Sequence, residues 1–335
     1  MDPYITALYQ IVAVGQKTNS YKFALWRALA HLAPTRSMIS KLDLSQLFVE
    51  YYWPLELQYH IRQGTDPDKD PIVMKRIREL AVSGTIALGE TFRDFQKKSG
   101  SGYEKLIPKI AAEAFDDVIP RFHIVRGASI EPKLYTFTGK VGATGNTIEL
   151  TTSGRHFLVD YGKLVDYVAI AGWVRFTEDF TSAPKLHDKI GGTGRQRRAV
   201  SQWRRPLWEI QNGKCFYDES HDMASPEVDH VLPWSFVLED KTWNLVLACR
   251  KCNNEKRDRL TDVGSLERLR ARNGQIMKGD LQASGSFARH FAEWHLRDLS
   301  LHIEGLYGQA AADGFPFWPE RAGAHSRIIG GKLPT

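Results

Sequence analysis

Cysteine is scarce in this sequence of 335 residues. Only Cys215, Cys249 and Cys252 occur, and all three fall in one short stretch of the chain. Three cysteines are too few for the disulfide scaffold of a small secreted protein, so an ordinary hydrophobic core must hold the fold together. Their close spacing instead raises the question of a metal site or a redox site.

Long hydrophobic runs are also lacking. No uncharged apolar stretch reaches the roughly 18 residues that a membrane-spanning helix needs. The first residues, MDPYITALYQ, place an acidic residue where a secretory signal peptide has a basic region. We therefore expect a cytoplasmic protein with no membrane partner.

Two common catalytic motifs are missing as well. The sequence contains neither the G-x-x-x-x-G-K-[ST] phosphate loop nor the G-x-S-x-G turn that carries the nucleophile of serine hydrolases. What is present is an ordinary globular composition, with 42% hydrophobic and 25% charged residues and a net charge of +6. This profile excludes collagen-like, coiled-coil and disordered proteins and leaves room for about two domains.

Apolar residues recur at helical spacing in the first part of the chain. This spacing predicts helices over residues 20–33, 44–52, 72–82 and 103–118. The β-type runs YTFTG, TIELT and HFLVD then predict a small β insert at about residues 130–162, and helical spacing resumes at 163–180. Residues 191–198 are rich in glycine and arginine, which favours a domain boundary there.

These patterns predict an α+β fold in three parts. Residues 1–190 form a mostly helical N-terminal region, which we expect to recognise a protein partner or to regulate the rest of the chain. Residues 195–262 hold the motifs described below. Residues 263–335 return to helical spacing and end in a Gly- and Pro-rich tail that we expect to be loose.

Two of the cysteines form a metal-binding pattern. Cys249 and Cys252 are separated by two residues, the spacing with which paired thiolates chelate one tetrahedral Zn²⁺ from a tight turn. Cys215 is a third candidate ligand. The fourth candidate is either Asp218, at the position where a second C-x-x-C would have its cysteine, or His221. The alternative is a reduced cysteine pair packed in the core.

A carboxylate and an imidazole stand side by side a few residues before that pair. Asp229 and His230 lie on a predicted strand, residues 227–232, and adjacent strand residues point to opposite faces. At least one of these side chains is therefore expected to meet water or a metal. Asn244 begins a second predicted strand, and Asn253 lies at the start of a predicted helix. A β-hairpin followed by a helix can bring Asp229 and Asn253 together around a small cation with oxygen ligands.

The stretch of residues 213–260 resembles the ββα-metal core of HNH endonucleases, through the phrases V-D-H-x-x-P-x-S-F and W-N-L-V-L-A-C-x-x-C-N-x-x-K. The HNH domain of RNA-guided CRISPR effector nucleases is similar in spacing but lacks the cysteines. The resemblance implies a metal-dependent endonuclease that hydrolyses phosphodiester bonds, with double-stranded DNA as the expected substrate. The segment N-S-Y-K-F-A-L-x-x-A-L is faintly similar to HNH proteins from prokaryotic defence loci.

The resemblance also implies roles for individual residues. Asp229 and Asn253 would bind one catalytic Mg²⁺ or Mn²⁺, and His230 would be the general base that deprotonates the attacking water. Asn244 would hold the hairpin and orient His230. Asn254 is an alternative to Asn253, since only the register separates the two.

Two further implications are less direct. Lys256 is expected to neutralise the reacting phosphate or else to be a solvated helix residue. The family has C-x-x-C at its first knuckle, whereas this chain has Cys-Phe-Tyr-Asp. A structural Zn²⁺ is therefore expected to be weakened, or to recruit an unusual ligand, in a site formed by Cys215, Asp218, Cys249 and Cys252.

Charge is unevenly distributed around these motifs. An acidic stretch, residues 218–249, lies between two basic stretches, as expected for a metal pocket flanked by surfaces that bind a polyanion. The first basic stretch is interleaved with Trp203 and Trp208, and its alternative interpretation is a helix with tryptophans in the core and arginines in solvent. The side chains predicted to contact nucleic acid are Arg195, Arg197, Arg198, Arg204, Arg205, Arg250, Lys251 and Arg257.

Two other functions are compatible with these motifs. One is a zinc-supported nucleic-acid-binding module without catalysis, and the other is an HNH nuclease that acts on RNA. A binding module has no need of Asp229, His230 and Asn253 together, so their presence favours the enzyme. The choice between DNA and RNA depends on the shape of the pocket around the 2′-hydroxyl, which the sequence does not give.

Overall fold

The computed structural model describes residues 2–87, 89–98, 102–138, 147–192, 199–218, 223 and 225–319. The chain divides into two compact units, Met1–Gly194 and Arg195–Thr335, which we call unit 1 and unit 2. Helices and short antiparallel sheets make up both, which confirms the α+β class. The tail that we expected to be loose, residues 320–335, lies outside the described residues.

Unit 1 is mainly helical. Its helices are α1 (Pro3–Tyr9), α2 (Tyr21–Leu32), α3 (Lys41–Leu57), α4 (Ile72–Val82), α5 (Phe92–Lys97), α6 (Tyr103–Glu113), α7 (Thr152–Glu178) and α8 (Leu186–Gly191). Its strands are β1 (Met38–Ser40), β2 (Ile124–Val125), β3 (Ala128–Ser129), β4 (Tyr135–Thr138) and β5 (Thr147–Leu150). A π-helical turn, Gln10–Val14, follows α1.

Helices α2 and α7 lie at the centre of unit 1. Trp26 of α2 and Trp173 of α7 are fully buried, and Phe23 stacks on the Trp173 ring. Arg27 is also buried, and its guanidinium donates to the Asp166 carboxylate at 2.8 Å and to the carbonyl of Ile190 at 2.8 Å. Apolar residues cover almost every side of α2, as expected for a central helix.

The β insert is smaller than the sequence predicts. Strands β1, β5 and β4 form an antiparallel sheet in that order, with Ile39 opposite Ile148. The run HFLVD, however, is helical, because α7 begins at Thr152 and not near residue 163. The Thr151 hydroxyl caps this helix by accepting the Gly154 N–H at 3.0 Å, and Phe157 and Leu158 continue the buried face of α7.

Unit 2 carries the motifs singled out in the sequence. Its helices are α9 (Arg204–Ile210), α10 (Trp234–Val237), α11 (Arg250–Lys256), α12 (Val263–Lys278), α13 (Gly285–Ala288) and α14 (Leu296–Ala312). Its strands are β6 (Glu227–His230) and β7 (Leu245–Ala248). Short 3₁₀ turns lie at Ser201–Trp203, Thr242–Asn244 and Arg289–Phe291.

Strands β6 and β7 form an antiparallel hairpin, with Asp229 opposite Val246 and His230 opposite Leu245. Every residue of β7 is buried, so this strand forms the floor of the site. Helix α11 follows directly, and the Cys249 thiol caps its first turn by accepting the Cys252 N–H at 3.4 Å. Helix α11 ends at Lys256, because Arg257 adopts a φ of 49°. None of the helices in the described ranges is long and apolar enough to cross a membrane.

Candidate active site and metal centres

One face of β6 presents two carboxylates to helix α11. Glu227 and Asp229 are two positions apart on the strand, so they share a face, and Asn253 and Lys256 are three positions apart on the helix. The Asn253 amide donates to Glu227 at 2.6 Å, and the Lys256 ammonium lies 3.2 Å from Asp229. The fold thus brings two predicted metal ligands, Asp229 and Asn253, onto the same strand–helix contact.

Asp229 is buried and has two partners. The Tyr217 hydroxyl donates to its Oδ2 at 2.6 Å, and the Lys256 ammonium approaches the same oxygen. Burial, and then the neighbouring carboxylate, raise the pKa of Tyr217 well above its ordinary value, so the phenol stays protonated and keeps donating. Sequence reasoning missed Tyr217, although it lies two residues after Cys215.

Lys256 is fully buried, which rules out the solvated alternative. Besides Asp229, its ammonium donates to the carbonyl of His230 at 2.6 Å and to that of Arg257 at 3.3 Å. An ammonium has three hydrogens, and three protein oxygens surround this one. A contact between Lys256 and a substrate phosphate stays a prediction, and it would require the loss of one of these bonds.

His230 points to the opposite face of β6 and is almost fully buried. Its Nε2 lies 3.0 Å from Oδ1 of Asp240. A carboxylate on one ring nitrogen fixes the tautomer and the orientation of an imidazole. No motif pointed to Asp240, which lies ten residues after His230 in an irregular segment.

Asn244 closes the hairpin. It ends a 3₁₀ turn directly before β7, which begins at Leu245. Its side-chain oxygen accepts the Leu232 N–H at 2.8 Å, and its amide donates to the Leu232 carbonyl at 3.0 Å. Its own carbonyl accepts the Val231 N–H at 3.0 Å. These contacts fix the backbone that follows His230.

We expect the Asn244→Ala variant to lose about 2–4 kcal/mol of unfolding free energy, because both polar groups of Leu232 lose their buried partner. Urea unfolding of the full chain, followed by circular dichroism, measures the change. The exposed Asn254→Ala variant is the control and should stay within about 0.5 kcal/mol of wild type. Equal stability of the two variants would contradict the bridging role of Asn244.

A buried arginine of α12 also contacts the backbone of the turn at Thr242–Asn244. Arg272 of α12 donates to the carbonyls of Leu245 at 2.5 Å and Trp243 at 3.0 Å, and Asn273 donates to Trp243 at 2.9 Å. Burial lowers the pKa of Arg272 to about 9. The sequence did not single out these residues, because α12 lies outside the recognised motif.

The three cysteines meet in one cluster. The sulfurs of Cys215, Cys249 and Cys252 lie within 4.8 Å of one another, and all three residues are buried. The Cys249 N–H donates to the Cys215 sulfur at 3.3 Å. The Cys252 thiol and several backbone N–H groups donate hydrogen bonds to the Cys215 sulfur, and these bonds lower the pKa of Cys215 to about 5. Because the Cys252 thiol is the donor, its own pKa is raised. Such a cluster suits Zn²⁺, which binds thiolates.

Among the described residues, no histidine, aspartate or glutamate joins this cluster as a fourth ligand. Asp218 contacts the Cys215 sulfur through its backbone N–H, but its carboxylate does not join the cluster of sulfurs within 4.8 Å. His221, the other candidate, lies outside the described residues. The three buried sulfurs supply three of the four donors that a tetrahedral Zn²⁺ takes.

We expect the purified chain to carry about one Zn²⁺ per molecule, since three buried sulfurs converge on one point. The Cys252→Ser variant should lose most of this metal, and Asp218→Ala should lose less of it if the fourth ligand is exchangeable. Elemental analysis after dialysis measures the zinc content. Full zinc occupancy in Cys252→Ser would show that the metal is bound elsewhere.

The predicted nucleic-acid contacts fall on several surfaces. Arg204 and Arg205 lie exposed on α9, and Arg205 pairs with Glu209 at 3.2 Å. Arg250 and Lys251 are exposed at the start of α11, and Arg257 is exposed at its end. Trp203 is buried, whereas Trp208 is 42% exposed. Arg195, Arg197 and Arg198 lie outside the described residues.

Comparison with known proteins gives two matches and one absence. Residues 218–261 match the HNH endonuclease family. The chain is also similar to the CRISPR-associated endonuclease Cas9 of Listeria innocua serovar 6a (strain ATCC BAA-680 / CLIP 11262), with 33% identity over 88 residues. That alignment covers 24% of this chain and 6% of the Cas9 chain, so only a small part of Cas9 is matched. No solved structure matches this chain significantly.

Proposed function

Because residues 218–261 form an HNH endonuclease domain, we propose that this chain is a metal-dependent endonuclease that hydrolyses phosphodiester bonds, with double-stranded DNA as its substrate. The observation that carries the proposal is the arrangement around β6. One face of the strand carries Asp229 and Glu227, and Glu227 accepts the Asn253 amide of α11 at 2.6 Å. The next residue, His230, lies 3.0 Å from Asp240. One proposed metal ligand, Asp229, and the proposed proton acceptor, His230, are therefore adjacent residues of one strand.

Asp229 and Asn253 would hold the catalytic Mg²⁺ or Mn²⁺. Within the described ranges, the two contacts of Asp229 use Oδ2, so Oδ1 would be the oxygen that binds a cation. The Glu227 carboxylate accepts a hydrogen bond from the Asn253 amide nitrogen, so the Asn253 side-chain oxygen would be the atom that binds the metal. Oxygen donors of this kind fit a hard divalent cation. When bound, the cation supplies a positive charge that polarises the phosphate and stabilises the leaving oxygen.

His230 would accept the proton of the attacking water. The Asp240 carboxylate, 3.0 Å from Nε2, would hold the imidazole in one orientation for this proton transfer. Asn244, Arg272 and Asn273 hold the backbone on either side of this pair.

The remaining parts of the chain fit this function. The cysteine cluster would bind a structural Zn²⁺ that joins the Cys215 turn to the start of α11. The exposed arginines and Lys251 would contact phosphates. We propose that residues 195–262 are the nuclease domain and that residues 263–335 are a helical extension with a loose tail. Residues 1–190 are assigned to recognition of a protein partner or to regulation, in a cytoplasmic protein that serves prokaryotic defence.

The test is cleavage of supercoiled plasmid, linear duplex DNA and single-stranded RNA by the full chain, each with Mg²⁺, Mn²⁺ or EDTA. We expect cleavage of the two DNA substrates with either metal and none with EDTA. Cleavage of RNA alone would replace the substrate in the proposal. Salt-dependent binding without cleavage, in the presence of either metal, would favour the non-catalytic binding module.

A further inference from the structure

An open groove on unit 2 lies next to the start of β6. It is lined by Ser201, Gln202, Arg204, Arg205, Trp208 and Pro226. Pro226 directly precedes Glu227, and Asp229 follows three residues later. Because a strand rises about 3.3 Å per residue, Pro226 lies about 10 Å from Asp229 along the chain.

Trp208 is the distinctive side chain of this groove. Among the exposed large hydrophobic residues in the described part of the chain, it is the only tryptophan. Leu207 and Ile210 bury the opposite side of α9 and fix the helix. The Trp208 indole is 42% exposed on this fixed helix, whereas Trp203 and Trp243 of unit 2 are buried. A large apolar side chain left exposed in this way can mark a binding surface.

The indole of Trp208 is held in place by Gly213. A Cβ at Gly213 would lie 2.9 Å from the Trp208 ring, so only glycine allows this approach. Gly213 also has a φ of 71°, and its N–H donates to the Trp208 carbonyl at 3.0 Å. The turn therefore packs against the Trp208 ring, and the same residue lines the groove.

Charge in the groove matches a nucleic acid. Arg204 is one helical turn before Trp208 and is exposed. Arg205 has only a surface pair with Glu209, and such pairs contribute little and exchange readily. Proteins bind single-stranded nucleic acid with this combination of cations and an aromatic ring. The cations bind a phosphate, and the aromatic ring stacks on the adjoining base.

We propose that this groove binds one unpaired nucleotide next to the phosphate that is cleaved. The base stacks on Trp208, and Arg204 contacts its phosphate. In a continuous duplex both faces of each base are covered by neighbouring bases, so a base reaches Trp208 only where pairing and stacking are interrupted. The enzyme therefore prefers duplex DNA that contains an unpaired segment. This inference rests on the proposed function and narrows its substrate.

Binding of labelled DNA to the full-length His230→Ala protein tests the groove without cleavage. The probes are a continuous duplex, the same duplex with a short unpaired bubble, and one of its single strands. Stacking on one aromatic ring changes affinity by about 5- to 150-fold, so His230→Ala/Trp208→Ala should bind the bubble at least about fivefold more weakly. Its affinity for the continuous duplex should be unchanged.

Matched variants separate stacking from folding and from charge. Trp208→Phe should restore most of the affinity for the bubble, and Leu301→Ala, which removes an exposed apolar side chain of α14, should change nothing. Arg204→Ala should weaken the binding of bubble and duplex alike, whereas exposed Arg297→Ala should not.

The outcomes distinguish the groove from the nuclease proposal. Equal losses on all probes in the Trp208→Ala background, no loss at all, or no DNA binding by any variant would overturn the groove. A bubble preference that depends on Trp208 in a protein that cuts nothing would support the groove and contradict the nuclease. Metal-dependent cleavage with no role for Trp208 would do the reverse.

Discussion

The His230→Ala variant is expected to cleave DNA about 10²- to 10⁴-fold more slowly than wild type, the range for the loss of a general base. The variant should still bind DNA, because the exposed arginines and Lys251 are unchanged. The physical reason is that the variant loses the imidazole that would accept the proton of the attacking water and that Asp240 holds through Nε2 at 3.0 Å. Initial rates on supercoiled plasmid at saturating Mg²⁺ measure the effect.

Two further variants make this result specific. Asp240→Asn can donate to Nε2 and so favours the wrong tautomer, and we expect a clear loss of rate with unchanged DNA affinity. His295→Ala removes an exposed imidazole of unit 2 and should cut like wild type. If His230→Ala retained the wild-type rate, the general base would have to be another residue.

Local patterns predicted much of the fold. The limits of α4 agree with the predicted helix over 72–82, because the apolar spacing there is regular and prolines precede it. The strand predicted at HFLVD was wrong, because a short continuous apolar run is compatible with a helix as well as with a strand. The Thr151 cap starts a helix here. Strand β1 was missed, since three residues carry too little pattern to be recognised.

The candidate site was predictable where residues are close in sequence. The spacing of the D-H and C-x-x-C phrases identified the family, as the family match confirms. The sequence analysis did not predict the roles of Tyr217, Asp240 and Arg272. Each of them contacts the site through the tertiary structure and has no fixed position in a short motif. Burial also distinguishes Lys256 from the other lysines of this region, and a helical position alone does not report burial.

The Lys256→Met variant is expected to lose about 3–5 kcal/mol of unfolding free energy in unit 2. Loss of the Lys256 ammonium leaves Asp229 as a buried charge whose remaining partner, among the described residues, is Tyr217. Buried charges that lose their ionic partner have costs of this size. Urea unfolding of the full chain measures the loss. The control is Lys251→Met, an exposed residue of the same helix, which should change stability by less than about 0.5 kcal/mol. A loss no larger than that of the control would contradict the buried pair.

A double-mutant cycle tests whether Lys256 acts through Asp229. We expect Asp229→Asn and Lys256→Met together to be less destabilising than the sum of the single changes, by about 0.5–3 kcal/mol. Additive losses would mean that the ammonium acts mainly through the carbonyls of His230 and Arg257.

Activity then separates the two roles of Lys256. If its ammonium positions Asp229 for the cation, the Lys256→Met variant needs more Mg²⁺ and regains most of its rate when Mg²⁺ is raised, under conditions where it stays folded. If the ammonium instead leaves its three oxygens to neutralise the phosphate, the loss of rate persists at every Mg²⁺ concentration, because the cation cannot replace that charge at the phosphate. The buried position of Lys256 favours the first outcome, since a phosphate contact would require breaking a bond to Asp229, His230 or Arg257.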